Sequence, residues 1–416
     1  MRILLLTQWF DPEPSFKGLQ FAKALQSRGH EVDVLTGFPN YPGGKVYPGY
    51  RVRWLQRECM EGINVLRVPL YPSHSRSALC RIANYGSFAL AAATLGVCLS
   101  PQADVVYVYH PPATVGLPAM VFRLLRRTRT VYDIQDLWPD TLAATGMVNN
   151  AGIQRAVGAW CQLIYRAMDR IVVLSPGFKR RLMARGVPAG KIDVIYNWAD
   201  ERTLLVAPSP LPENEAWLLK GKFNILFAGN LGSAQALGTV LDAAKRVLAT
   251  HPHIQFVFVG DGIERPKLET LASESAISNV VFLPRRTPNE LEAVYAQVDV
   301  LLVHLRSDDL FTITIPSKTQ AYLLAGLPII MAVAGDAAEL VRAASAGLAC
   351  NPENPEQLAQ TAIAMAAMSG DQRRAIGRAG RAYYQEKLAL AKGVDRFVEV
   401  FTAITREDTA GATAAI

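Results

Sequence analysis

The chain has 416 residues, half of them hydrophobic, with 43 Lys and Arg against 36 Asp and Glu and a net charge of +7, which is too much for one core and suits two domains of about 200 residues. The charge is unevenly placed: residues 1–200 hold 23 basic and 13 acidic side chains (net +10) and residues 201–416 hold 20 and 23 (net −3), so the first half suits an anionic partner. No helix-turn-helix signature, zinc-ligand pair or aromatic interleaving accompanies the basic residues, which disfavours nucleic acid and leaves an anionic membrane surface or a diphosphate-bearing substrate, while five cysteines without CxxC spacing read as reduced packing thiols of a cytosolic protein.

From the amino terminus, a basic residue leads into an apolar run at Met1-Arg-Ile-Leu-Leu-Leu, too short for a signal peptide. The same pattern returns at Lys222-Phe-Asn-Ile-Leu-Phe-Ala-Gly229. In the first half, strands are expected at 3–7, 32–36, 64–68, 105–109, 130–134, 171–174 and about 193–196, with a helix from about 17 to 28 ending at Gly29. Residues 82–103 carry no charge. A buried crossover helix is the preferred reading there over a span, and a shallow membrane-dipping helix stays open because arginines at 76 and 81 precede it. Lys179, Arg180, Arg181 and Arg185 form a second basic helical face. A Pro-rich linker is expected at 206–214.

In the second half, strands are expected at 225–229, 255–259, 280–283, 300–304, 328–332 and 347–350, with helical patterns at 237–248, 371–385 and 394–404. The expected domains are 1–205 and 206–389, with the helix 390–410 packing back on the first and a frayed tail at 407–416. The fold class is therefore α/β: two Rossmann-like domains with parallel sheets facing across a cleft, where open α/β sheets bind their ligands.

The chemistry-bearing motifs fall at strand ends. The loop Trp9-Phe-Asp-Pro-Glu-Pro-Ser-Phe-Lys-Gly18 is expected to cover a site edge. His110-Pro-Pro112 and Tyr132-Asp-Ile-Gln-Asp-Leu-Trp-Pro-Asp140 bring a histidine and three carboxylates to neighbouring strand ends, where His110 with Asp133 or Asp136 could orient a sugar hydroxyl. Gly229-Asn-Leu-Gly232 and Gly260-Asp-Gly262 are paired glycine turns that let backbone N–H groups approach an anion. Pro316-Ser-Lys318 opens a helix with N–H donors, the Ser317 hydroxyl and the Lys318 ammonium directed at a diphosphate. No GxGxxG and no P-loop is present.

These residues, with Pro12-Glu-Pro14, Arg28-Gly-His-Glu-Val32 and Asp136-Leu-Trp-Pro139, give the chain a resemblance over about residues 1–405. It resembles the family 4 glycosyltransferases of GT-B architecture, and within them the WbuB-type L-fucosamine transferases of bacterial surface-polysaccharide synthesis. The resemblance implies transfer, with retention of configuration and without a metal or other cofactor, of an N-acetylated amino sugar from a UDP-sugar co-substrate. The acceptor it implies is a polyprenyl-diphosphate-linked glycan, met at the inner face of the cytoplasmic membrane by a peripheral protein. It places His110 at the donor sugar, Asp136 and Asp133 near the reacting centre, and the base at the backbone around Arg285. The donor set it implies is Lys17, Gly18, Gly229, Asn230, Leu231, Gly232, Gly260, Asp261, Gly262, Arg265, Arg285, Pro316, Ser317, Lys318 and Gln320. One departure stands out: the family's paired glutamates fall on Ile313 and Ala321, so hydroxyl contacts must come from elsewhere, with Asp308, Asp309, Gln320 and Glu339 as candidates. The alternatives are a UDP-N-acetylhexosamine 2-epimerase, which would use the Asp133, Asp136 and Asp140 cluster for proton removal, and a non-catalytic membrane-binding subunit.

Overall fold

The computed structural model describes residues 1–416 except 75–76, 145, 149, 203–209 and 414–416, and the side chains of 78 and 407–413. The chain divides into two compact units, one of residues 1–195 with 394–416 and the other of 196–393.

The first unit is built on eight strands: β1 (Arg2–Leu6), β2 (Glu31–Gly37), β3 (Gln56–Met60), β4 (Ile63–Val68), β5 (Val105–His110), β6 (Arg129–Ile134), β7 (Arg170–Val173) and β8 (Ile192–Val194). Their order is β3-β4-β2-β1-β5-β6-β7-β8. The inner strands β1 and β5 are buried on both faces, as the near-continuous Val, Ile and Leu runs of a helix-covered parallel sheet require. All pairings are parallel except one. Strand β3, which the sequence reading does not contain, runs antiparallel to β4 through a two-residue hairpin at Glu61-Gly62, where φ is 48° and 87°. Its sequence Gln-Arg-Glu-Cys-Met, with no residue buried, fits an edge strand, not a core one.

The segment 78–99 is the crossover between β4 and β5: helix Ala78–Ala91, a π-turn Ala92–Gly96 and a last turn Val97–Leu99. It is not the buried helix preferred from sequence, because only one face packs inward. Phe88, Ala92 and Val97 are buried, while Leu79, Ile82 and Leu90 are 79%, 66% and 63% exposed. The second basic face is also not free. Arg181 and Arg185, at the end of helix Pro176–Ala184, both grip Asp140, and Lys179 bonds the Ile192 carbonyl.

The second unit carries β9 (Phe223–Ala228), β10 (Ile254–Val259), β11 (Val280–Leu283), β12 (Val300–His304), β13 (Ile329–Ala332) and β14 (Gly347–Ala349), ordered β11-β10-β9-β12-β13-β14 and parallel throughout. This is the doubly wound order whose switch point lies between the first and fourth strands, here β9 and β12. The unit begins at Tyr196, ahead of the expected 206. The Tyr384 hydroxyl accepts the Ala199 N–H and donates to Glu201, and the Glu201 carboxylate accepts the Leu390 N–H. Of the expected linker, 206–209 lie outside the described residues and 213–214 open helix Glu213–Leu219. The last helix, Leu390–Thr413, belongs to the first unit from Val394 on. Its Phe397 ring lies 5.2 Å from Phe21 and 5.4 Å from Tyr107, and the helix continues past 407, where fraying was expected.

Candidate active site

In the second unit the ends of β9 and β10 interlock. Gly229 and Gly260 have φ of 137° and 148°, in the region open to glycine, and a Cβ on Gly260 would lie 1.9 Å from the Gly229 carbonyl oxygen. The Gly229 N–H donates to Val259 and the Leu231 N–H to Asp261, so each turn holds the other. The Arg265 side chain donates to the Gly260 and Leu283 carbonyls from outside. Helix Ser317–Ala325 is tied to the same strand end, because the Tyr322 hydroxyl accepts the Ala228 N–H and donates to the Ala228 carbonyl.

Between these turns and this helix lies a cavity of about 500 Å³, within the range of small-molecule sites. Its wall includes Gly229, Asn230, Gly260, Asp261, Arg285 and Lys318. The Lys318 Nζ is shut off from solvent and has no hydrogen-bond partner among the described residues. It sits 3.6 Å from the centroid of the Phe227 ring, and burial lowers its pKa to about 7. A buried cation left without an anion is costly, and the free amino terminus of its own helix adds N–H donors at the same place. The cavity is chemically a receptacle for an anion attached to something larger.

Six of the expected donor residues thus come together. Others do not reach the wall. Leu231 is wholly buried in the core, Gly232 pairs with Gln235, the Gly262 N–H donates to Asp261 Oδ1, and Arg265 braces strand ends. Pro316 and Ser317 lie at the helix start, and Gln320, with its amide turned to donate, bonds the Pro316 and Ser317 carbonyls at 3.1 Å. Of the carboxylates expected to replace the missing glutamates, Asp308 caps Leu310 and pairs with Arg306, and neither Asp309 nor Glu339 lines the cavity. Ala321 does line it, and with it comes a residue the sequence reading missed: Glu292, on helix Pro288–Tyr295. Burial raises the Glu292 pKa, opposed by Arg381. A glutamate on an amphipathic helix gives no local signal of such a role.

In the first unit His110 ends β5, is 2% exposed, and has no partner for Nδ1. Its ring stands edge-on to Trp138 at 5.4 Å, and burial pushes its pKa down to about 3, so the imidazole is neutral. Asp136 makes no side-chain hydrogen bond among the described residues, and burial raises its pKa. Asp133 and Lys17 have to be corrected. Both side chains are fully buried and form an ion pair at 2.5 Å; Asp133 also accepts from the Tyr107 hydroxyl and the Gln135 amide, and the Lys17 ammonium lies over Phe397. Their charges are spent on each other, and the pair ties the β6 end to the loop that precedes Gly18. Gly18 caps helix Leu19–Gln26, its Cβ position only 2.2 Å from Asp11 Oδ2, and Asp11 accepts the Leu19 N–H. Glu13 of the Pro-Glu-Pro motif accepts N–H groups of Phe10, Asn40 and Tyr41, while burial lifts its pKa to about 7. With Asp133 held by Lys17 and Asp140 by two arginines, the three-carboxylate cluster of the epimerase reading is not assembled.

Two Rossmann-like units, one with a glycine-walled cavity ending on an unpartnered ammonium, are the GT-B architecture. Residues 19–198 match the glycosyl transferase 4-like domain and residues 222–367 the glycosyl transferases group 1 domain, and the chain belongs to this family of glycosyltransferases. Among curated proteins it is 29% identical over 343 residues to the putative colanic acid biosynthesis glycosyl transferase WcaI of Escherichia coli, covering 78% of this chain and 82% of that one. It is 27% identical to a GDP-mannose-dependent alpha-mannosyltransferase of Mycobacterium tuberculosis, covering 84% and 83%. Among solved structures, sucrose-phosphate synthase from Thermosynechococcus elongatus superposes with a TM-score of 0.67 at 17% identity, covering 98% and 99%. The lipopolysaccharide glycosyltransferase WaaG gives 0.63 at 16%, covering 96% and 99%.

Proposed function

We propose that this glycosyltransferase moves an N-acetylated amino sugar, fucosamine-like, from a UDP-sugar to a polyprenyl-diphosphate-linked glycan, with retention and without a metal, in the synthesis of a bacterial surface polysaccharide. The observation that carries the donor half is the unpartnered Lys318 ammonium at a glycine-walled cavity. In the transfer, the acceptor hydroxyl oxygen bonds to the anomeric carbon while the bond from that carbon to the diphosphate oxygen breaks. The departing diphosphate keeps the electron pair and takes the hydroxyl proton on the same face of the sugar. Lys318 and the N–H groups at the start of its helix neutralise the charge that develops, the part a metal plays in other transferases. Glu292 accepts from the ribose hydroxyls in place of the carboxylate missing at Ala321, and Arg285 borders the base. The neutral His110 hydrogen-bonds a hydroxyl of the donor sugar, and Asp136 faces the reacting centre.

The pathway reading draws support from the roles of the relatives, colanic acid biosynthesis for WcaI and lipopolysaccharide biosynthesis for WaaG. A related solved structure from Escherichia coli holds UDP-2-fluoro glucose. The acceptor would place the protein at the inner face of the cytoplasmic membrane. The mannosyltransferase relatives are GDP-mannose-dependent, which makes the base the first property to measure. Calorimetry with UDP, GDP and ADP, each with and without magnesium, is the test. UDP-selective, magnesium-independent binding is expected; GDP selectivity would replace the donor, and no nucleotide binding would end the proposal.

A further inference from the structure

The crossover segment, charged at Arg81 alone, presents a second feature that the donor site does not use. Along 78–99 the exposed positions Leu79, Ile82, Ala83, Gly86, Leu90 and Thr94 recur at helical spacing and contain no charge. A surface helix of a globular domain normally turns polar residues outward; this one turns its apolar stripe both ways. Trp54, 82% exposed, shares a shallow groove with Leu90 and Thr94. Leu124 and Leu125, 78% and 68% exposed, stand on helix Gly116–Arg126, whose Arg126 bonds the carbonyls of Val97, Cys98 and Ser100 at the far end of the same segment.

The exposed charges next to this face are mostly basic, and Arg81 stands half-buried on the helix itself. Of the acids, Glu58 pairs with the buried Arg67, Glu61 with Lys23, and Asp104 accepts the Arg2 backbone N–H. Arg51 and Arg53, just before Trp54, are exposed, Arg57 bonds the Leu99 carbonyl, and Arg127 is exposed close in sequence to Leu124 and Leu125. An exposed apolar patch with a basic rim is the signature of an interfacial surface, with tryptophan at the level of the headgroups.

We propose that the face carrying Trp54, Leu79, Ile82, Leu90, Leu124 and Leu125 docks onto an anionic phospholipid bilayer, lying in the interface and not crossing it. Crossing is barred because the inner face of the helix is core: Asn84 is bonded to Gln8 and to the Tyr71 carbonyl, and a Cβ on Gly96 would meet Leu35 at 2.6 Å. A second copy of the chain fits worse, because a two-fold contact would press two basic rims together, whereas anionic headgroups complement them. The surface deepens the reading of a lipid-borne acceptor, yet it stands on residues that take no part in nucleotide binding, so the two succeed or fail separately.

Co-sedimentation of the full chain with vesicles of phosphatidylethanolamine and phosphatidylglycerol, against pure phosphatidylcholine, tests it. Binding is expected to the anionic vesicles, to weaken with salt, and to fall at least tenfold in Ile82→Asp/Leu90→Asp, with nucleotide affinity unchanged and with Ile263→Asp in the second unit binding like the parent. If the double variant fails to fold, Arg51→Gln/Arg53→Gln with Trp54→Ala serves instead, because these exposed side chains lie outside the core. Equal binding to both lipids, no binding, or variants that bind like the parent overturns the proposal. So does a dimer in sedimentation velocity that the variants abolish, which would give the face to a second copy.

Discussion

Replacing Lys318 with methionine should do two opposite things at once: weaken the nucleotide and stabilise the protein. The ammonium is buried against Phe227 with no anion, and its pKa is about 7 where a free lysine has 10.5. Between these values the unfolded chain holds a proton that the folded chain has given up, so stability rises with pH from 7 to 10.5 and the lysine costs most below pH 7. At pH 8 the cost is about 3 kcal/mol. Methionine fills nearly the same volume without the charge. Recovery of even part of that cost should raise the melting temperature by roughly 2–10 °C for a unit of this size. The same change removes a charge-assisted contact to the diphosphate, about 1.5–3 kcal/mol, or roughly 10- to 150-fold in affinity. Calorimetry with a UDP-sugar, whose phosphates hold no titrating proton near neutrality, supplies the second signature. Binding by the parent protein should take up a proton above pH 7 and lose affinity there, by up to about tenfold per pH unit, while the methionine variant should show neither effect. A variant that melts lower and binds equally well would make Lys318 a structural cation and refute the reasoning.

Three further expectations rest on other groups. Glu292→Ala should cost about 1.5–3 kcal/mol in UDP affinity, and 2′,3′-dideoxy-UDP should bind parent and variant alike; equal loss for both nucleotides would remove Glu292 from the ribose. His110→Ala should lower transfer about ten- to a hundredfold while UDP affinity in calorimetry stays within about twofold, and matched losses would put the histidine elsewhere. Asp133→Asn leaves the Lys17 charge buried without its counter-ion and should destabilise the protein by about 3–5 kcal/mol in urea melts, with Lys17→Met restoring much of it in the double variant; a neutral single variant would contradict the ion pair.

How much of this could be read from sequence depends on how local each device is. Thirteen of the fourteen strands announced themselves because a helix-covered parallel strand must be apolar at nearly every position. The one overlooked, β3, is an edge strand with no buried residue, so its pairing is fixed by the hairpin at Glu61-Gly62 and not by a core. The glycine turns and Lys318 were legible for the same reason of locality: each is a strand end followed at once by a loop or helix start, and the chemistry sits within a few residues. The roles of Asp133 and Lys17 were not, because a carboxylate at a strand end looks the same whether it faces a sugar or a lysine 116 positions away. Glu292 fails the same test from the other side, since only the packing of its helix beside Ala321 distinguishes it from a solvated glutamate. The uncharged segment 82–103 was ambiguous for a different reason. Hydrophobicity reports the cost of meeting water, not which neighbour relieves it, and a helix apolar on both faces needs two neighbours. The sheet supplies one, along Phe88, Ala92 and Val97; the outward face, with Leu79, Ile82 and Leu90 still in water, calls for another, and the arginines around it point to an anionic one.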